Sequence, residues 1–424
     1  MSAAKPLRIG LFGQFGIGNL GNEGTLEAML AFVRECAPGA ELVGICTDPE
    51  FVRATHGIEA VPMQVDGVRN ALGRMLNRVL LGMPARIANF AHALNVARKL
   101  DVLFIPGTGV LDDFGATPTG LPYDLWRWCH AAKWTGARVG FVSVGAGPIL
   151  HPLSRMLMKG AARCAAYRSY RDLPSKAFVN SIALRTPQDP VFPDLAFGLS
   201  APTRGAQGEG PLIVAVGVMA YFGWAGENGE AIYENYIRKL TNYVIWLLAA
   251  GHRVRFVIGK DKDVDVVADV QNRLAATAPK MTAGIEPFEP AKNLHDVMRQ
   301  MAGADIAVVT RFHNLVCALH VGTPCVSIGY AQKNQALLEE MGLGRFSQEV
   351  ETFDLEILKV HTEKLIVERV QHAAAIARKV ADYELQLKAQ ERILTEEFLT
   401  MPTSVRVAAP ARVNAQAFEH PVAH

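Results

Sequence analysis

Short apolar runs alternate with longer amphipathic segments along most of the chain. An apolar run bounded by polar turns is typical of a buried strand, and apolar residues recurring every three or four positions are typical of a helix. In the first half the pattern predicts strands over residues 7–12, 41–46, 102–106 and 137–144, with helices near 23–36, 69–99 and 123–135. Continuous apolar strands joined by helices predict a parallel sheet covered on both faces.

The alternation pauses at residues 200–211, where Gly and Pro dominate and no hydrophobic period survives, which is typical of an interdomain linker. It restarts with predicted strands over 212–218, 253–258, 305–310 and 324–328 and helices over 231–250, 264–276 and 312–321. We therefore predict an α/β protein of two doubly wound, Rossmann-like domains. The expected divisions are domains 1–200 and 212–345, linker 201–211, a charged helical extension 355–399 that braces the domains, and a loose tail 401–424.

Composition narrows the class of protein. The 424 residues are half hydrophobic, and 43 basic against 41 acidic residues give a net charge of +2, which does not support bulk nucleic-acid binding. The six cysteines include no C-x-x-C pair, so a reducing compartment is the simpler expectation. No run reaches the roughly 20 apolar residues of a membrane span, and residues 1–6 are too short and polar for a signal peptide. We expect a cytoplasmic protein.

A glycine-rich loop follows the first predicted strand. Residues 13–21 hold four glycines in nine positions, and 16–21 match G-x-G-x-x-G. Such a loop lets backbone amides approach an anion, but it also occurs where a strand and a helix merely pack closely. A nicotinamide site would need an acidic residue at the end of the next strand; Asp48 is the nearest, and Pro49 follows it.

Several blocks of the first half resemble the polysaccharide pyruvyl transferase family. Residues 16–26 are similar to its F-G-N-x-G-D-E-x-x-L opening, with Asn22 in place of the usual Asp. Residues 101–112 are similar to its strand, Gly-Gly-Gly turn and acidic residue, with Thr108 in place of the middle glycine. Residues 171–175 resemble its R-D-x-x-S, and 193–197 its D-P-A-x element.

The second half carries the most specific block. Residues 311–324 resemble the family's R-L-H-x-x-x-x-A-x-x-x-x-x-P, with Phe312 in the Leu position, and 330–333 match Y-x-x-K. The resemblance implies a fold like the two-domain GT-B glycosyltransferases, with the active site in the interdomain cleft. It implies transfer of the enolpyruvyl unit of phosphoenolpyruvate to a sugar, giving a pyruvyl ketal and phosphate, in exopolysaccharide or cell-envelope synthesis.

Arg311 and His313 suit this chemistry. They follow a predicted buried strand and open a helix, at the carboxyl edge of a parallel sheet where α/β proteins place ligands. Arginine binds oxyanions in bidentate fashion, and histidine is the side chain that moves protons near neutral pH. The alternative is that His313 caps the helix and Arg311 forms an ion pair. Within the helix His313 lies off the predicted core stripe.

Further site residues are expected around this pair. Arg171 is the candidate second anion ligand, its alternative being a surface salt bridge with Asp172. Lys333 is the candidate phosphate ligand. The candidate acceptor or phosphate loops contain Gly16, Gly18, Asn19, Gly21, Glu23, Gly107 and Gly109.

We expect no metal site, although His313, Cys317 and His320 share a helical stripe, because three donors on one helix rarely complete a tetrahedron. The reaction needs no redox cofactor; the need for a divalent ion is left open.

The acceptor is hypothesised to be a lipid-linked saccharide. Residues 69–99 interleave four arginines (69, 74, 78 and 86) with apolar residues, a pattern that can rest on an anionic membrane surface or simply pack on the sheet. Two other functions stay open. One is a nucleotide-sugar glycosyltransferase, with Glu339 or Glu340 as its nucleotide-binding carboxylate; the other is a non-catalytic scaffold, which Asn22 and Thr108 mildly favour.

Overall fold

The computed structural model describes residues 5–66, 75, 78–80, 82–182, 184, 188–205, 210–223 and 228–400. It contains two wholly parallel sheets, one of six strands and one of five. This confirms the predicted α/β class and the two doubly wound halves. The predicted tail at 401–424 lies outside the described residues.

The first sheet has the strand order β3-β2-β1-β4-β5-β6. All four predicted strands are confirmed, and two edge strands of four residues each were not predicted because their sequences are partly polar. The strands are β1 (Arg8–Phe12), β2 (Glu41–Cys46), β3 (Glu59–Pro62), β4 (Val102–Pro106), β5 (Arg138–Val144) and β6 (Tyr167–Tyr170). The helices are α1 (Leu20–Cys36), α2 (Pro49–His56), α3 (Met83–Ala97), α4 (Leu121–Thr135), α5 (Pro152–Ala162) and α6 (Leu173–Ser181).

These helices cover both faces of the first sheet. The crossover from β3 to β4 reverses the direction in which strands are added, so right-handed connections place α1 and α2 on one face and α3, α4 and α5 on the other. The helices α3, α4 and α5 pack side by side over one hydrophobic core. Each begins beside the carboxyl edge of the sheet, because a crossover helix starts where the preceding strand ends.

The long helix predicted over residues 69–99 is not continuous: Met75, Arg78 and Val79 are helical, but Leu80 and Gly82 lie in turns. The helix α3 begins at Met83 because Gly82 has a left-handed backbone (φ 80°) and Pro84 occupies the first turn, where its missing N–H costs nothing. Residues 67–74, 76, 77 and 81, with Arg69 and Arg74 among them, lie outside the described residues.

The second sheet has the order β11-β10-β9-β7-β8. Its four predicted strands are confirmed, and a fifth, of three residues, extends the edge. The strands are β7 (Ile213–Gly217), β8 (Arg253–Val257), β9 (Ile306–Val309), β10 (Cys325–Gly329) and β11 (Ser347–Glu349). The helices are α7 (Gly229–Ala249), α8 (Asp263–Thr277), α9 (Leu294–Ala302), α10 (Phe312–His320) and α11 (Gln332–Glu340).

The C-terminal helix α12 (Leu355–Leu394), which continues as a π-helical turn (Thr395–Leu399), contacts both sheets. Near its start Thr362 hydrogen-bonds Tyr243 of α7 at 2.8 Å. Near its end Gln390 donates to Ser169 of β6 at 2.8 Å, and the Phe398 ring lies 5.0 Å from that of Phe104 in β4. The predicted helical extension is therefore present, and it ties the two sheets together. The predicted domain boundaries and the linker at 201–211 stay predictions.

Candidate active site

The carboxyl edges of the two sheets face each other, and their loops touch. The amide of Leu20 donates to the carbonyl of Gly259 at 3.2 Å, and the amide of Asp261 donates to the carbonyl of Gly18 at 3.1 Å. Gly18 has φ 65°, and a Cβ there would lie 2.2 Å from a carboxylate oxygen of Asp261. Only glycine can accept both this backbone conformation and this close approach.

The rest of the glycine loop is held by its own contacts. The amide of Gly16 (φ 81°) donates to the carboxylate of Glu23 at 2.7 Å, and Asn19 caps α1 by accepting from the amide of Gly21 at 3.2 Å. Asp48, which caps α2, lies directly against Gly16. Carboxylates on both sides of the loop do not favour an anion there, so these contacts support the packing interpretation; a ligand role stays a prediction.

His313, at the start of α10, crosses to the first unit. A Cβ added to Gly21 would lie 2.0 Å from its Nδ1, so α1 approaches the imidazole as closely as a glycine allows. Its Nε2 lies 3.9 Å from a carboxylate oxygen of Asp194 and has no hydrogen-bond partner among the described residues. Burial, reinforced by the charge of Arg171 and opposed by that of Asp194, lowers the pKa of His313 to about 4. The ring is therefore neutral at neutral pH, contrary to the expectation of a pKa near 7.

Arg311 is held by a buried carboxylate. Its Nε and one Nη donate to the two oxygens of Asp263, the second at 2.6 Å. Asp263 is fully buried and also accepts from the amides of Gly259 and Lys260, at 3.2 and 3.0 Å. The ion pair that was the alternative for Arg311 is present, and it leaves one guanidinium nitrogen outside this bidentate contact.

Arg171, which directly follows β6, lies between the two units. Its guanidinium carbon is 4.4 Å from the centre of the Phe312 ring, and its Nη1 is 3.4 Å from Asp194. Nε lies 3.4 Å from Asp172, but the Arg171 side chain is only 4% exposed. This is a buried cluster rather than the surface salt bridge weighed above, and burying these charges costs desolvation free energy that only close pairing offsets.

A cleft of about 630 Å³ opens beside this cluster. Arg171 and Lys333 line it, whereas Arg311 and His313 are not among its lining residues. The Nζ of Lys333 lies 4.6 Å from the ring centre of Tyr330 and 5.5 Å from that of Phe312. Phe312 is thus flanked by two cations that reach it from different elements, Arg171 from the first unit and Lys333 from α11.

An unusual backbone after β4 holds one acidic residue of the cleft. Gly107 has φ 47° and Thr108 has φ 60°, and a Cβ on Gly109 would lie 2.5 Å from a carboxylate oxygen of Asp112. A β-branched residue in this region is strained, which fits the glycine that the family usually has at the Thr108 position. Burial raises the pKa of Asp112, against the opposing charge of Lys333 and a hydrogen bond from the amide of Phe114.

Three residues of the site were not assigned roles from the sequence. Asp194 lies in a block that resembles the family, which was the available signal. Phe312 was noted only as the residue in the family's Leu position, although both Arg171 and Lys333 contact its ring. Asp263 gave no signal, because its partner Arg311 is 48 residues away in the chain.

The other sequence candidates have structural contacts. Glu340 accepts from the Tyr383 hydroxyl, and Glu339 accepts from Gln335 at 2.6 Å. Among the residues that the structure describes, no three His, Cys, Asp or Glu side chains are grouped as a metal site would require. In the same part of the chain, no helix is long and apolar enough to cross a membrane.

Comparison with solved structures supports the fold. An MnaA–UDP co-structure from S. aureus matches 94% of this chain and 100% of its own, with a TM-score of 0.60 and 11% identity. A glycosyltransferase from Rickettsia africae matches 95% of this chain and 100% of its own (TM-score 0.58, 11% identity). The UDP-GlcNAc 2-epimerase from Neisseria meningitidis matches 93% and 100% (TM-score 0.56, 11% identity). At such identities these likenesses show the two-unit GT-B-like fold alone.

No curated protein matches the chain significantly. The family model "Polysaccharide pyruvyl transferase" matches residues 19–332, which contain every candidate site residue named above except Gly16, Gly18, Lys333, Glu339 and Glu340. The chain therefore belongs to the polysaccharide pyruvyl transferase family, a family of transferases.

Proposed function

We propose that the protein transfers the pyruvyl unit of phosphoenolpyruvate to two hydroxyls of one sugar, forming a ketal and releasing phosphate. The observation that carries this proposal is the convergence of Arg171, Lys333 and neutral His313 on the two sides of Phe312, beside an open cleft in a member of this family.

The two cleft-lining cations suit the donor. Phosphoenolpyruvate carries a phosphate and a carboxylate close together, so it needs more than one cation at fixed positions. Arg171 packs on the Phe312 ring and the Lys333 ammonium lies over the Tyr330 ring before any ligand arrives, which reduces the entropy lost on binding. Arg311, held by Asp263, adds positive charge next to them rather than a free bidentate clamp.

His313 then serves the proton transfers. In the free protein it is neutral and accepts a proton from an attacking sugar hydroxyl. Arg171, Lys333 and Arg311 all contribute to its lowered pKa, so a bound anion that neutralises them raises that pKa. Binding of phosphoenolpyruvate therefore moves His313 toward the range in which it both accepts and returns protons.

The steps balance. The methylene carbon of phosphoenolpyruvate gains one proton and becomes a methyl group, while the first sugar hydroxyl adds to the adjacent carbon and loses its proton. The bond from that carbon to the phosphate oxygen then breaks, the second hydroxyl adds, and its proton leaves with phosphate. Asp112, whose pKa burial raises, faces the same cleft and is a second group able to hold a proton there.

The acceptor is a saccharide. The second unit lines the cleft with hydrogen-bonding side chains and an aromatic pair, which suit the hydroxyls and apolar ring faces of a sugar. The ring centres of Tyr221 and Tyr330 lie 6.3 Å apart, and the Tyr221 hydroxyl donates a hydrogen bond to the Glu351 carboxylate at 2.5 Å. We propose that a lipid-linked saccharide enters from this cleft, so donor and acceptor meet at Phe312.

Donor binding is tested by calorimetric titration of phosphoenolpyruvate into single variants. Arg171→Gln and Lys333→Gln are each expected to weaken binding about ten-fold or more, since a charge-assisted hydrogen bond contributes about 1.5–3 kcal/mol. Arg168→Gln and Lys379→Gln are matched controls: Arg168, in β6, pairs with Asp189, and neither Arg168 nor Lys379 lines the cleft. His313→Ala should retain donor binding and lose transfer. Equal losses in the control and cleft variants would contradict the donor site.

A further inference from the structure

The helix layer α3–α4–α5 exposes apolar side chains at the starts of its two outer helices. Before and within α3, Val79, Met83 and Ile87 are 69%, 50% and 64% exposed. Before and within α5, Leu150 and Met156 are 64% and 62% exposed. Scattered exposed apolar residues are ordinary, but here they cluster at helix starts on one face of one sheet.

The charge of this layer has one sign. No acidic residue occurs between Asp66 and Asp101, or between Asp124 and Asp172, although the whole chain has a net charge of only +2. Asp124 is itself buried and paired with Arg127. The first segment contains six basic residues and the second eight. Three of them are exposed and directly precede exposed apolar residues in the chain: Arg78, Arg86 and Arg155.

The same face borders the cleft. The helices α3 and α5 start at the carboxyl edge of the first sheet, which is the edge that faces the second unit. The amides of Leu150 and His151 donate to the Asp113 carboxylate at 3.0 and 2.9 Å, and the neighbouring Asp112 lines the cleft. The exposed apolar residues before α5 are therefore anchored next to the cleft mouth.

We propose that the starts of α3 and α5 form a docking face for an anionic lipid bilayer, which lays the cleft mouth against the headgroups. Apolar side chains enter the headgroup boundary while arginines beside them attract anionic lipids, each adding about 1 kcal/mol near such a surface. A protein partner with an acidic surface would account for the charge but not for unpaired apolar tips on two separate helices. The start of α5 is a second contact site, on the other side of the layer from the arginine-rich residues 69–99.

This docking face deepens the proposed function, because a saccharide on a lipid carrier reaches the cleft only if the cleft opens at the membrane. The test is flotation of the full chain with vesicles of phosphatidylcholine alone or mixed with phosphatidylglycerol, at low and high salt. The Ile87→Glu/Met156→Glu variant replaces one exposed apolar residue on α3 and one on α5. Val367→Glu/Val370→Glu is the matched control, since these two valines of α12 are 81% and 68% exposed on another surface. Thermal unfolding verifies that each variant folds.

We expect the wild-type protein and the control variant to float with phosphatidylglycerol vesicles and to dissociate at high salt. The Ile87→Glu/Met156→Glu variant should partition at least about ten-fold less, through lost apolar contact and two added negative charges. Failure of the wild-type protein to float, or equal flotation of both double variants, would overturn the docking face. Transfer to a soluble, lipid-free saccharide is measured in parallel: it tests the proposed function alone and should be equal in all three proteins.

Discussion

Gly21 and His313 offer a test of the site that requires no change to a charged or titrating residue. A Cβ at position 21 would lie 2.0 Å from Nδ1 of His313, whereas ordinary contact begins at 3.4 Å. In the Gly21→Ala variant the imidazole must therefore move by about 1.4 Å. A displacement of about 1 Å at a reacting group can reduce a rate roughly 100-fold, so we expect kcat/KM to fall by about that factor.

Folding should survive this substitution. Gly21 lies in the first turn of α1, and alanine in a helix is favoured over glycine by about 1 kcal/mol, which offsets part of the roughly 1–3 kcal/mol cost of overpacking. Gly24→Ala is the matched control: its Cβ would lie 2.2 Å from the tip of Leu294, also across the unit boundary, but against a flexible aliphatic end.

The assay is phosphate release from phosphoenolpyruvate with a saccharide acceptor, together with calorimetric binding of the donor. Gly21→Ala should lose turnover while it keeps donor affinity, and Gly24→Ala should keep both. Equal kcat/KM for the two variants, each verified by thermal unfolding, would refute the placement of His313 at the reacting centre.

Three further results are expected. NMR titration of His313 in the free protein should give a pKa of about 4, and phosphoenolpyruvate should raise it. Because the unfolded chain has the ordinary pKa of 6.5, protonation lowers the free energy of unfolding by roughly 3 kcal/mol as the pH falls from about 6.5 to 4. The His313→Gln variant should not show that loss. Asp263→Asn should destabilise the protein by about 3–5 kcal/mol in denaturant unfolding, because Arg311 is left without its buried counter-ion. Thr108→Gly should raise the free energy of unfolding by about 1 kcal/mol, because relief of strain exceeds the entropy lost with glycine; a decrease would show that the Thr108 backbone is unstrained.

The sequence predicted the two parallel sheets because their central strands are continuous apolar runs, as in β4 and β9, which are buried throughout. It did not predict the edge strands β3, β6 and β11, since short, partly polar strands resemble loops. It also did not predict the break at Gly82, whose positive φ interrupts an amphipathic period that continues through it.

The candidate site was partly predictable. Arg311 and His313 were identified from a short motif. The sequence could not show that Asp263 holds Arg311, or that burial lowers the pKa of His313 to about 4. Both effects come from residues distant in the chain that meet only after the two units fold. The glycine loop was interpreted as a possible phosphate loop, whereas Gly18 and Gly21 mainly permit close contact with the second unit.

The proposed reaction is tested most directly by incubating the purified protein with phosphoenolpyruvate and a panel of saccharide acceptors, free and lipid-linked. We predict phosphate release that requires an acceptor, and by mass spectrometry an acceptor that has gained one pyruvyl ketal. His313→Ala should abolish both signals. Turnover of a nucleotide sugar with no consumption of phosphoenolpyruvate, or the absence of any transfer across the panel, would contradict the proposed reaction.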